Sequence, residues 1–187
     1  MSSILPAPTG TAPVRQIELR VAELAELFNS LDPTPFHHRD LDRDAEEFLE
    51  SWALEHPPGS EYRIVVHIER MPSADPSALV AEAVRNYFDY KSVLTGRALR
   101  TLLAEGRTCL AIGVGFLAAC LAGAEAIKLV PRLPFGDLMS EGLLIGGWVA
   151  MWRPLQIFLY EWWPIARKRR TYQALARSSV QVVAVPA

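Results

Sequence analysis

Hydrophobic positions along residues 14–107 recur with short, changing periods. In "RQIELRV", Ile17, Leu19 and Val21 alternate with Glu18 and Arg20, the period of a half-buried strand. "AELAELF" then shifts toward helical spacing, and "NSLDPTPF", with its two prolines, breaks the chain. From Asp40 to Glu55, Ala45, Phe48, Leu49, Trp52 and Ala53 recur at helical spacing. Asp40, Asp42 and Asp44 stand at the start of that helix, where carboxylates suit its positive end. "YRIVVHIE" predicts a second strand between the turns "HPPGSE" and "MPSADPS". Beyond Ala78, the spacing of Leu79, Ala83, Tyr87, Tyr90, Leu94, Ala98 and Leu102 predicts one long helix, with Gly96 and Gly106 as soft points. "SVQVVAVP", near the end of the chain, predicts a strand that returns to pair with an earlier one. The fold class expected is an α+β cytoplasmic domain at 14–107, with two to three short strands plus helices in a small mixed sheet. A Pro-, Ser- and Thr-rich flexible leader at 1–13 precedes it and a two-helix transmembrane hairpin follows.

The periodicity disappears at residue 108. "CLAIGVGFLAACLAGA", Cys109 to Ala124, has no charge and no proline. With its neighbours it extends to about twenty residues, roughly 30 Å as a helix, and Arg107 and Lys128 flank it at snorkelling distance. A second apolar stretch, Leu143 to Trp152, is shorter and runs into Arg153 and Pro154. Two arrangements satisfy this pattern. In one, the hairpin at 108–164 ends its second span near Arg153, and an amphipathic helix from about 153 lies along the interface, with Leu155, Phe158, Leu159 and Trp162 on its apolar side. In the other, a continuous kinked helix carries Arg153 into the bilayer, where it must face Glu125, Glu161 or a partner subunit. Small residues recur at every fourth position, at Ala111, Gly115, Ala119 and Gly123 in the first span and Gly142, Gly146 and Ala150 in the second. Such seams join helices within a chain or between protomers.

Charge sets the orientation. Arg97, Arg100 and Arg107 precede the first span and "RKRR" (167–170) follows the second, whereas the connector carries only Lys128 and Arg132. The positive-inside rule places both termini in the cytoplasm, with a short external turn marked by Pro131, Pro134 and Gly136 and a basic cytoplasmic tail at 165–187. The net charge of −2 conceals this division, and no broad basic surface points to nucleic acid.

Candidate chemistry is sparse. Cys109 and Cys120 lie in the first apolar run without metal-ligand spacing. "HHRDLDRD" mimics the first calcium-loop ligands, but Ala45 and Ser51 stand where that loop needs glycine and glutamate. Helix capping accounts for its aspartates, and adjacent side chains such as His37 and His38 rarely reach one ion. His67, on a strand, reads as a surface or packed histidine. No phosphate loop, nucleophile elbow or paired-cysteine motif occurs, so neither a catalytic set, a cofactor nor a metal is expected.

"IELRVAEL", "FNSLDPTPF" with "RDLD" shortly after, and "GWVAMWRPLQIFLYEWWP" together resemble a group of small bacterial membrane proteins with two C-terminal transmembrane segments and no assigned activity. The resemblance covers most of the chain after residue 14. It implies a bacterial inner-membrane location and no catalytic residues. The expectation is a non-enzymatic, membrane-anchored interaction or scaffold protein, forming a homo-oligomer or binding a protein partner. The alternative is a subunit of an oligomeric transporter or channel-like assembly with Arg153 lining a path. The residues singled out are Arg153, Glu125, Glu161, Gly115, Ala119, Gly123, Gly142 and Gly146.

Overall fold

Strand β2 (Glu61–Arg70) carries the apolar residues around which the domain is built. The computed structural model describes residues 14–29, 40–57, 60–72, 75–130 and 134–185. The leader at 1–13, most of "NSLDPTPF", the His37–His38 pair and Pro131 and Arg132 of the connector lie outside the described residues. The chain divides into two compact units, Met1–Leu94 with Arg167–Ala187, and Thr95–Ala166.

In the first unit, β1 (Val14–Glu23) and β3 (Ser179–Ala184) flank β2 in the order β1-β2-β3, and both pairings are parallel. Ile17, Ile64 and Val180 share one register row, and Leu19, Val66 and Val182 the next but one. Alternation places these side chains on one face, where helix α1 (Arg43–Leu54) and the start of helix α2 (Ser77–Lys128) cover them with Leu49, Ala53, Val80, Val84 and Phe88. The end of helix α5 (Trp162–Ala176) adds Tyr172 and Leu175 to the same core. The opposite face carries Glu18, Arg20, Arg63 and His67. There His67 Nε2 lies 3.4 Å from a Glu18 carboxylate oxygen.

Two features differ from the sequence reading. The sheet is wholly parallel rather than mixed. The domain is also not simply followed by the hairpin, because β3 closes the sheet from beyond it and α2 is central in the chain. Parallel neighbours need a long crossover between them. α1 supplies one between β1 and β2, and the helices between β2 and β3 supply the other. Local chemistry otherwise follows the sequence. Asp42 caps α1 by accepting from Asp44 N–H at 3.0 Å. The Tyr62 hydroxyl donates to Ala53 O at 2.9 Å and Arg167 to Leu54 O at 2.7 Å, which satisfies the carbonyls at the end of α1. "AELAELF" gives only a 3₁₀ turn, Leu24–Leu27, because the strand continues to Glu23. On α2 the buried stripe is Val80, Ala83, Val84, Tyr87 and Phe88, while Tyr90 and Leu94 stay exposed.

In the second unit α2 passes Gly96 and Gly106 without interruption. After the connector come α3 (Gly136–Ala150), α4 (Trp152–Gln156), a π-helical turn (Ile157–Glu161) and the first residues of α5. Phe135, at the start of α3, holds a left-handed backbone at φ 61°. Met151, between α3 and α4, has φ −79° and ψ −11°, so the backbone stays helical, and one helical run extends from Gly136 to Ala176. The separate helix expected from about residue 153 is the continuation of this run. Two prolines are accommodated by two local adjustments. Pro154 has no N–H for the Ala150 carbonyl. That carbonyl lies against Gly113, where a Cβ would stand only 3.0 Å from it. Pro164 would crowd the carbonyl of Tyr160, and the wider π turn immediately before α5 makes room.

The two helices of this unit meet along Gly113, Cys120 and Ala124 of α2 and Ser140 and Gly147 of α3, all buried. At Gly147 a Cβ would stand 2.8 Å from Leu117 Cδ1, the movable end of a side chain, and 3.2 Å from Cys120 Cβ, so the helices approach closely there and a small side chain would need only slight shifts.

Val182→Asp is expected to destabilise the first unit by about 2 kcal/mol, because it places a charge against the face shared with Val66. Faster amide hydrogen exchange in β2 would register it, and unchanged β2 protection would show that β3 is dispensable. In a Cys109→Ser background, Gly147→Cys should form an intrachain disulfide with Cys120 on oxidation. No bond would form if the helices met along Gly115 and Gly142.

Candidate functional site

Charged clusters in each unit tie helices together. In the first unit, α1 presents Glu46 and Glu50 one turn apart on the same side. Glu46 accepts from the Tyr87 hydroxyl and pairs with Lys91 at 2.6 Å, both on α2. Glu50 accepts from the Tyr172 hydroxyl at 2.7 Å and pairs with Lys168, both on α5. Each lysine also sits over the ring of its tyrosine, Lys91 at 5.4 Å and Lys168 at 5.6 Å from the centroid. The two sets repeat one unit, a carboxylate gripped by a phenol and an ammonium, with residue order Tyr-x-x-x-Lys on α2 and Lys-x-x-x-Tyr on α5. The tyrosine rings belong to the apolar core, and Phe88 lies 5.9 Å from Tyr172.

These contacts shift titrations in consistent directions. Burial pushes the Glu46 carboxyl up, but the hydrogen bonds from Lys91 and Tyr87 outweigh it and hold the group below its ordinary value of 4.5. Burial, reinforced by the neighbouring carboxylate, raises both the Tyr87 and Tyr172 phenols well above their ordinary value of 10.0. The phenols are therefore neutral donors over the whole physiological range. The arrangement serves as a clamp that fixes α2 and α5 to α1.

In the second unit Arg153 stands between two carboxylates. One guanidinium nitrogen bonds Glu105 of α2 at 2.8 Å and the other bonds Glu161 of the π turn. All three side chains are part-exposed. Glu105 precedes the apolar run of α2, and next to it Gly106 packs against Ile157 and Phe158. The cross-helix register thus places Arg153 at the margin of the apolar block, level with residues 105–106, and not at its centre. Glu161 was singled out from the sequence, and Glu105 was not. Glu125 is elsewhere, paired with Lys128 at 2.7 Å.

The small residues divide by face. A Cβ on Gly123 would touch Leu143 at 3.3 Å, whereas Cβ atoms on Gly115, Gly142 and Gly146 would meet nothing within 4 Å. Ala119 is exposed as well. Most of the sequence-derived seam therefore faces outward, and a seam rotated from it joins α2 to α3. Among the described residues no group of three or more His, Cys, Asp or Glu side chains is placed to hold a metal ion. Compared with protein-family models, curated proteins and solved structures, the chain matches none.

The clamp sequence was legible in principle, since "YFDYK" and "KRRTY" carry the two mirrored Tyr/Lys spacings and Glu46 and Glu50 the matching acids. Its pH dependence follows from the shifts. Glu46, with a lowered folded pKa, stabilises the fold fully above about pH 4.5, and this contribution is lost as pH falls through the folded value. The phenols, with raised folded pKa values, contribute fully below about pH 10 and lose that contribution as pH rises further. Denaturation midpoints should therefore decline at both extremes. Glu46→Gln should flatten the acid limb, and Tyr87→Phe with Tyr172→Phe the alkaline limb. Limbs unchanged in these variants would show that the clamp does not control them.

Proposed function

We propose that this chain is an integral protein of a bacterial inner membrane, in which a helical hairpin anchors a cytoplasmic α/β domain that assembles with copies of itself or with a protein partner. The observation that carries the reading is the exposure of the apolar helices. Ser77–Lys128 and Gly136–Ala176 are long and apolar enough to cross a membrane, yet only 17% of each apolar window is buried within the chain. A core helix of a water-soluble protein buries such a window, because exposed apolar area costs roughly 25 cal/mol per Å². Here Ile112, Phe116, Ile145, Trp148 and Val149 are at least half exposed. Hydrocarbon is the surrounding that makes this arrangement favourable.

Topology supports the same reading independently of charge. β1 and β2 precede the hairpin and β3 follows it, and all three form one sheet. A sheet does not straddle a bilayer, so the segments before and after the hairpin lie on one side. The Arg97, Arg100, Arg107 and "RKRR" groups make that side the cytoplasm. In this frame Arg153 sits at the cytoplasmic boundary with its charge met by Glu105 and Glu161. Internal pairing favours an anchoring role for Arg153 over one lining a transport path. The outward Gly115, Gly142 and Gly146 leave room for close approach by a second copy, the basis for homo-oligomer formation.

Impermeant maleimide labelling of single cysteines in cells tests the topology. Leu129→Cys should react from outside intact cells, and Ser178→Cys only after permeabilisation, both in a Cys109/Cys120-free background. Extraction of the protein by alkaline carbonate, or external labelling at 178, would refute it.

A further inference from the structure

A cavity of about 720 Å³ opens at the edge of the first unit where all three strands begin. Val14, Glu61 and Ser179, the first residues of β1, β2 and β3, reach its wall, and Arg170, Gln173 and Ala174 of α5 form another side. Three arginines line it: Arg63 from β2, Arg170 from α5 and Arg177 immediately after that helix. Arg170 lies on α5 and Arg177 follows its last residue, seven positions further along the chain. Among the described residues none of the three guanidiniums has an ion-pair or hydrogen-bond partner, whereas Arg43, Arg70, Arg153 and Arg167 all do. Glu61 is the one carboxylate in the lining, so the cavity has an excess of positive charge.

Like charges gathered in a concavity repel one another and raise the potential felt by an anion. Planar guanidinium forks match the oxygens of phosphate, and the Ser179 hydroxyl and Gln173 amide add neutral donors to the lining. The volume falls in the range of small-molecule sites, roughly 300–1,000 Å³, and exceeds what a single inorganic ion fills. We propose that this cavity binds a phosphate-bearing organic anion, its charge met by Arg63, Arg170 and Arg177. A soluble organic phosphate and the headgroup of an anionic phospholipid share that chemistry. The binding claim is independent of the membrane reading, and only the headgroup source rests on it.

Titration calorimetry on the full chain in a zwitterionic detergent tests the proposal with two probes, inorganic pyrophosphate and monomeric short-chain phosphatidylglycerol. Saturable binding of pyrophosphate supports the cavity as a site for a soluble phosphate, and binding of phosphatidylglycerol alone supports the headgroup. In either case Arg63→Gln, Arg170→Gln and Arg177→Gln should each weaken binding about tenfold, and added salt should weaken it further. Glu61→Gln, which leaves every guanidinium in place, should tighten binding about threefold by removing the opposing charge. No saturable binding of either probe overturns the proposal, as does binding unaffected by the arginine substitutions or weakened by Glu61→Gln.

Discussion

The parallel pairing of β2 with β3 is the constraint on which the rest depends. Two parallel neighbours cannot be joined by a tight turn, because the chain must travel back to the starting edge before the second strand begins. Between β1 and β2 the return is made by α1, an ordinary crossover. Between β2 and β3 it is made by α2 going out and the Gly136–Ala176 run coming back. The apolar hairpin is thus part of an elongated crossover connection between β2 and β3.

That requirement explains where the charged side chains concentrate. A crossover made of long helices needs fixing where each helix joins the domain, and Glu46 and Glu50 on α1 supply one carboxylate for each. Their partners, Tyr87 with Lys91 and Lys168 with Tyr172, place a phenol in the core and an ammonium at its rim. Farther along, Arg153 fixes the register of the helical pair by joining Glu105 to Glu161. Part-exposed ion pairs contribute little to stability individually. Each of them ties one position on a helix to one position on its neighbour.

Much of the architecture was readable from residue patterns. The alternation of Ile17, Leu19 and Val21, the helical spacing after Asp42 and the uncharged run from Cys109 gave the strands, α1 and the first apolar helix in their places. Strand direction was not readable, because periodicity of two reports which face is buried and not which neighbour runs parallel. The interruption expected near Pro154 falls at Met151, between α3 and α4, while Gly113 makes room for the freed Ala150 carbonyl and a π turn lies ahead of Pro164. Small residues at every fourth position marked a face that allows close approach without saying which partner uses it. Glu105 was missed because its role depends on a residue far along the chain, at the opposite end of the hairpin.

The direction of the closing strand decides whether the hairpin is a crossover of the sheet. Spin labels at 63 and 179, and separately at 67 and 183, mark two pairs that face each other in the parallel register of β2 and β3. With the full chain in lipid nanodiscs, both pairs should show strong dipolar broadening of similar size, as neighbours on strands about 4.8 Å apart do. Broadening in one pair and not the other would mean an antiparallel strand. Its absence in both would mean that β3 does not close the sheet and that the hairpin is not its crossover.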